Sequence, residues 1–204
     1  MNVSLRRAGW AAIAVLASAF AVTLSGGYRA QGAAQTSAGP PRSAEGASSA
    51  VKRGDYLVNA MGCTDCHTPH VMGPEGPQPD NTRFLSGHPA DMVLPPPPAP
   101  VGPWVASVTA SSTGWSGPWG LSYSRNLTPD KETGLGDWTE EQFIQTIRTG
   151  RQQGRGRALL PPMPWPVIKN LTDEDLKAIF AYLRTIPTIK NKVPDPVIAE
   201  PPAQ

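Results

Sequence analysis

Thiols are scarce in this chain of 204 residues, which holds two cysteines and three histidines. With no second cysteine pair, the supply is too small for the four ligands of a structural zinc site. Excess charge is lacking too. A net charge of +2 argues against nucleic acid as a partner, although a mildly basic face is compatible with an acidic protein. Aromatic residues are few beyond tryptophan: four Phe and four Tyr accompany six Trp. The apolar core is therefore small and would benefit from a metal or buried cofactor as an added stabilising centre. No internal repeat is present, which excludes a solenoid or propeller. What abounds is loop-forming sequence, with 24 prolines and 20 glycines. The length suits one domain with tails.

Arg6 and Arg7 precede a charge-free run over residues 8–28, followed by "GAA" at Gly32, Ala33 and Ala34. This pattern fits a cleaved signal peptide, and the run is also long enough to span a bilayer if uncut. Residues 1–34 are thus a signal peptide or an N-terminal membrane anchor. Either reading exports the rest, which is periplasmic, free or tethered to the membrane. Residues 35–49 read as a flexible linker of Ala, Ser, Gly, Pro and Gln. Residues 50–189 form the expected domain, and 190–204 a Pro-rich extended tail.

Three helical patterns lie within the domain. The first covers about residues 50–60, with Gly54, Leu57, Val58 and Met61 on one stripe. Gly54 costs helix propensity there, which points to close approach of another element. In "DWTEEQFIQTIRTG", Thr139 and Gln142 make a capping box, Trp138 and Phe143 have staple spacing, and Gly150 is a stop. In "NLTDEDLKAIFAYLRT", Thr172 caps, Leu171 staples to Leu176, and Leu176, Ile179, Phe180 and Leu183 form the inward face. Residues 68–124 show little periodicity and many breakers. Their Trp104, Trp115 and Trp119 suggest a loop insertion laid over the core, because loops this long usually have a function or an anchor.

Both cysteines fall in "MGCTDCH", where Cys63, Cys66 and His67 make a C-x-x-C-H motif. A disulfide closing so short a loop restricts the unfolded chain little. Thiol exchange also uses C-x-x-C, but in a βαβ context that is not apparent here. The remaining reading is specific: C-x-x-C-H is the signature of covalent haem attachment. Two cysteines on one helical turn reach the two vinyl groups of a single porphyrin, and the next residue turns its imidazole to the iron. Export agrees with this, since c-type haem is attached outside the cytoplasm.

A sixth ligand must come from elsewhere. His70 and Met72 are tethered close to the attachment turn, and Met61 sits on the preceding helix; His88 and Met92 lie in the long insertion and are harder to exclude. Met163, in "LLPPMPWP", is the strongest candidate: its flanking prolines stiffen the loop that would present sulfur, and Met/His is a standard cytochrome pair. Filling both axial positions leaves outer-sphere transfer of one electron. The tryptophans of the insertion either cover the site or anchor the loop. Arg148, Arg151, Arg155 and Arg157 form a basic cluster that is a solvated face, a propionate-pairing group or a surface steering an acidic redox partner.

The order of helix, "CTDCH", loop, short helix, Met-bearing loop and final helix resembles the class I c-type cytochromes, over about residues 50–185. "NLTPDKETGLGDWTEEQFIQTIRTG" and "LLPPMPW" are similar to the haem domains of membrane-associated bacterial dehydrogenases and to related monohaem cytochromes. The resemblance implies an all-α fold round one covalent haem c, with the first and last helices crossing near Gly54 and Phe180. It implies Cys63 and Cys66 as thioether attachments, His67 as proximal ligand and Met163 as distal ligand. It places residues 126–129 on the proximal side, where a backbone carbonyl would hold His67. Two features depart from the pattern: the insertion is long, and there is one C-x-x-C-H where related dehydrogenase subunits often carry several. The expectation is an electron carrier rather than an enzyme, exchanging electrons with redox proteins as donor and acceptor. The alternatives are a haem-bearing dehydrogenase subunit, a haem enzyme or gas sensor with Met163 unbound, and a haem-free thiol protein.

Overall fold

In a computed structural model, residues 44–99 and 101–199 are described. The expected signal or anchor at 1–34, linker residues 35–43 and the last five residues of the tail lie outside them. The first helix, α1 (Ala44–Ala60), starts ahead of the expected residue 50, so it takes in the end of the segment read as linker. Leu57 and Val58 are its buried residues. It packs on the last helix, α5 (Asp173–Leu183). Glycine permits the contact: a Cβ built on Gly54 would stand 2.0 Å from the Ala178 carbonyl oxygen and 2.7 Å from Tyr182 Cβ. The crossing therefore falls on Ala178 and Tyr182, a half-turn to either side of the expected Phe180. Phe180 instead stacks obliquely on Phe143, with ring centroids 5.3 Å apart. An ion pair of 2.9 Å between Arg53 and Asp175 fixes the rim of the crossing.

The helix ends follow their sequence signals. Thr172 Oγ1 accepts from the Asp175 amide, and Asp173, Glu174 and Asp175 occupy the positive first turn of α5. Leu176, Ile179, Phe180 and Leu183 are all buried. The middle helix, α3 (Glu140–Thr149), opens with the Thr139–Gln142 capping box and closes at Gly150 in the left-handed region. A Cβ on Gly150 would collide with the Trp165 ring at 2.4 Å, so this glycine also seats the short helix α4 (Trp165–Ile168). One further turn of helix, α2 (Cys63–His67), follows α1 directly.

The expectation of an all-α fold is corrected by two antiparallel sheets. A hairpin joins β1 (His70–Gly73) to β2 (Gly76–Pro79). A second sheet runs in the order β3 (Ser107–Val108), β4 (Gly114–Gly117), β5 (Gly120–Tyr123) and β6 (Val197–Ile198). The insertion is thus partly strand, and the Pro-rich tail supplies an edge strand. Composition hid both. These strands have two to four residues, several of them Gly, Ser or Pro, and show none of the sustained alternation or β-branched enrichment that marks a strand. Gly120 is a case in point: its φ is +102°, and a Cβ there would meet the Val197 carbonyl oxygen at 2.0 Å, so the close approach of β6 depends on it.

Replacing Gly54 by Ala should force α1 away from α5. The expected cost is roughly 1–3 kcal/mol, the usual range for overpacking, read as a lower denaturation midpoint of the haem-loaded protein. An unchanged midpoint would show that the two helices do not meet as closely as described.

Candidate haem site

Gly62, with φ 68°, turns the chain between α1 and α2. Both thiols are unbridged, and they share one cavity of about 470 Å³ with His67, Trp115, Leu127 and Met163. That volume lies in the range of cofactor sites, ~300–1,000 Å³. The inner wall is the helical core, including Phe143, Leu176 and Ile179. The amphipathic stripes of α3 and α5 therefore face a shared chamber as well as each other.

His67 is fixed by its outer ring nitrogen. Nδ1 lies 2.8 Å from the Arg125 carbonyl oxygen, so Nδ1–H donates and Nε2 keeps its lone pair. Burial pushes the imidazole below its ordinary pKa, while the Arg125 carbonyl works the other way. The neutral form, which can bind a metal, is thereby favoured. This carbonyl belongs to the residue just before the expected segment 126–129. Asn126 and Leu127 do line the cavity, but Thr128 is buried in a turn, donating its amide to Asn126 Oδ1 at 2.9 Å. The attachment turn is held on two further sides. Ser124 Oγ donates to the Cys66 carbonyl at 2.5 Å, and the Gly87 amide donates to the His67 carbonyl at 2.8 Å.

The thiols are not tuned for exchange chemistry. Burial pushes Cys63 up to about 11 and also raises Cys66, whereas reactive redox cysteines have lowered values. An apolar wall that opposes thiolate formation suits sulfurs placed beside an apolar ring edge.

Met163 packs against the core, and the loop leading to it is held at two points. Leu159 donates its amide to the Gly150 carbonyl at 2.8 Å, and Ser122 Oγ donates to the Pro161 carbonyl at 2.7 Å. Met61 lines the same cavity. The other thioether and imidazole candidates do not. His88 is buried elsewhere, with Nδ1 2.9 Å from Thr113 Oγ1, Nε2 3.1 Å from the Met92 carbonyl oxygen, and its ring against Tyr123. His70, Met72 and Met92 face a separate recess. The tryptophans divide in role. Trp115 lines the haem-sized cavity, Trp119 anchors its turn by donating Nε1–H to Ser122 Oγ at 3.1 Å, and Trp104 is 76% exposed.

Sequence reasoning missed Arg125. Its side chain lines the cavity beside Arg157, and its Nη1 donates to the Pro194 carbonyl at 3.2 Å. Burial, with the neighbouring charge of Arg157, pushes its pKa down. Lys131 also lines the chamber, as do the carboxylates of Glu132 and Asp137; the two arginines suit an anionic ligand group such as the haem propionates. The one available signal was position: Arg125 is the first charged residue after Asp91. Of the predicted basic cluster, Arg157 reaches the site; Arg148 is bound instead to Asp173 and the Lys169 carbonyl.

The donor set fits haem c: two thiols on one turn, an imidazole with its outer nitrogen engaged, an apolar chamber of suitable size and two arginines at its wall. The Cytochrome c family description matches residues 51–187. The chain belongs to the cytochrome c family. It is 33% identical over 152 residues to the fructose dehydrogenase cytochrome subunit of Gluconobacter japonicus, covering 72% of this chain and 24% of the relative. It is 34% identical over 132 residues to the gluconate 2-dehydrogenase cytochrome c subunit of Pantoea cypripedii, covering 65% and 22%. A third relative, the cytochrome c subunit of the quinone-dependent alcohol dehydrogenase of Gluconobacter oxydans, is 28% identical over 149 residues, covering 71% and 24%. The chain thus spans about a quarter of the length of these relatives. As a c-type cytochrome it is an electron carrier, and Cys63 and Cys66 fit the covalent haem motif. When bound, haem c supplies the one-electron couple of its iron. The chain's own part is to tether, orient and shield it.

Serine in place of Cys66 should leave one thioether. The alkaline pyridine haemochrome band then moves to longer wavelength, because one vinyl group stays conjugated. A band identical to the wild type would show that Cys66 carries no attachment.

Proposed function

We propose that this cytochrome is exported, carries one haem with His67 and Met163 as axial ligands, and passes single electrons between redox proteins. The observation that carries the reading is the shared chamber: His67, with Nδ1 engaged by the Arg125 carbonyl, and Met163, after a loop pinned at Leu159 and Pro161, line the same apolar cavity as Cys63 and Cys66. Two protein ligands leave the iron no open position for a substrate, so the chemistry is outer-sphere. Thioether sulfur favours the reduced iron relative to a second imidazole, and the apolar walls act in the same sense by disfavouring extra charge.

Export is supported by the basic pair and uncharged run over residues 6–28. Among the described residues no helix is long and apolar enough to cross a membrane, so an anchor, if kept, belongs to that earlier run. Residues 1–34 are a signal or anchor, 35–49 the approach to the domain, 50–189 the haem domain with its 68–124 insertion, and 190–204 the tail. The donor is a bacterial dehydrogenase, in keeping with the relatives being cytochrome subunits of dehydrogenases. Those names also favour a second reading, a stably bound haem subunit of such an enzyme. Co-purification of a dehydrogenase through a salt wash would select the subunit reading, and its loss would select the free carrier.

Met163→Ala should abolish the sulfur-to-iron charge-transfer band of the oxidised protein and lower its potential. Persistence of that band would remove Met163 from the ligand set. Arg151→Gln with Arg155→Gln, on the exposed segment after α3, should slow reduction by an acidic partner at low salt and flatten the salt dependence. An unchanged salt dependence would end the steering role.

A further inference from the structure

A second recess, of about 370 Å³, lies apart from the haem chamber and is lined by His70, Met72 and Met92 together with Pro77, Leu94 and the 109–111 segment. Its donors converge because of the hairpin. His70 and Met72 are alternate residues of β1 and so project from one face of it, and the chain returns past Met92 on the way to the second sheet. The His70 backbone is pinned where its amide donates to the Ser111 carbonyl at 2.9 Å. Its ring nitrogen Nδ1 is buried and has no hydrogen-bond partner. A buried imidazole nitrogen without a partner calls for a ligand, water or ion.

The rest of the wall decides which. No carboxylate and no cation lines the recess. The hydroxyls that do are already engaged: Thr109 Oγ1 and Ser111 Oγ lie 2.9 Å apart, Ser111 Oγ continues to Thr113 Oγ1 at 2.8 Å, and the Gly114 amide donates to Thr109 Oγ1 at 3.1 Å. What remains is one imidazole and two thioethers. Hard, oxygen-seeking ions such as Mg²⁺ or Ca²⁺ find nothing here. Zn²⁺ lacks the thiolates, carboxylates or further imidazoles it prefers. Soft thioether sulfur selects Cu(I), whose single charge needs no anionic ligand. Exposure agrees with a surface-loaded site: Met72 is 74% and Met92 38% exposed. We propose that His70, Met72 and Met92 form a binding site for monovalent copper, separate from the haem.

The test uses the haem-loaded protein with its haem already reduced, so that Cu(I) has no electron to give it. It is titrated anaerobically with Cu(I) from a bicinchoninate complex, with the haem spectrum followed in the same cuvette. One equivalent should pass to the wild type while the haem bands stay fixed. Met72→Leu and Met92→Leu should each weaken uptake by at least about tenfold, since changes even beyond the ligands themselves lower metal affinity by that much. His70→Gln should do the same, and Zn²⁺ should not compete. Because Met72 is exposed, its leucine variant is expected to keep the melting midpoint of the wild type. As a check independent of variants, the methionine methyl ¹³C signals of two residues should shift on adding Ag(I) to the wild type. Failure of the wild type to take copper, uptake undiminished in the Met72→Leu, Met92→Leu double variant, or movement of the haem bands with copper would each overturn the site.

Discussion

The hydrogen bond from His67 Nδ1 to the Arg125 carbonyl joins positions 58 apart in sequence, and the architecture is arranged around that closure. The insertion leaves the domain just after His67 and returns just before Arg125. Where it returns, Ser124 Oγ grips the Cys66 carbonyl, and within it the Gly87 amide grips His67. Both ends of the excursion therefore meet at the attachment turn. Closing a longer loop adds entropy cost only logarithmically, about 0.6 kcal/mol per doubling. The chain can thus carry a large added segment without altering the position of the imidazole, provided the closing bonds are kept.

Two kinds of stabilisation share the labour. Around α1, α3 and α5 the core is apolar, with Val58, Leu176 and Leu183 almost wholly buried. Across the insertion Leu85 is buried together with the polar groups Thr68, Ser86, His88, Ser111, Thr113, Ser122 and Ser124, which hold the segment by hydrogen bonds. Thr68 Oγ1 accepts from the Leu85 amide at 3.0 Å, while Asn191 Nδ2 donates to the carbonyls of Ser86 and His88. A segment with few apolar residues has no other route to order, and a satisfied polar network of this kind specifies one arrangement rather than many. The tail takes part: Asn126 Nδ2 donates to the Ile189 carbonyl, and Val197 pairs with Leu121.

What could be read from the sequence follows from the same division. The helices announce themselves through period and caps, so Thr139, Gln142, Gly150, Thr172 and the inward face of α5 stand where the pattern put them. Cys63, Cys66 and His67 needed no fold at all, because their relation is local to one helical turn. The strands were hidden because β4 and β5 read as Gly-Trp-Ser-Gly and Gly-Leu-Ser-Tyr, and the β6 edge pairs with a partner distant in the chain. Arg125 was hidden for a related reason. Its role rests on a main-chain oxygen, which every residue has, so side-chain chemistry gave no sign of it. Gly54 shows the middle case: its small size foretold a close crossing, but only the packing of α1 on α5 fixed that crossing at Ala178 and Tyr182.

The sheet that the sequence concealed also bears on the site. Ser122, in β5, and Ser124, one residue past its end, are alternate residues of one extended segment. The first donates to the Pro161 carbonyl in the loop that carries Met163; the second donates to the Cys66 carbonyl in the turn that carries His67. One short strand thereby spans the loop and the turn, with β4 and β6 hydrogen-bonded along its two edges. A helical bundle alone would relate those segments only indirectly, from α1 through α5 and α3 to α4. Adding a strand as a direct brace limits how far the two can drift apart when the charge between them changes by one. For a carrier whose task is repeated gain and loss of an electron, resistance to such drift keeps the cost of each transfer small, as pre-set geometry does elsewhere in charge-moving sites. With His67 and Met163 as the proposed ligands, β5 ties the insertion to the redox site, whatever further surfaces it presents.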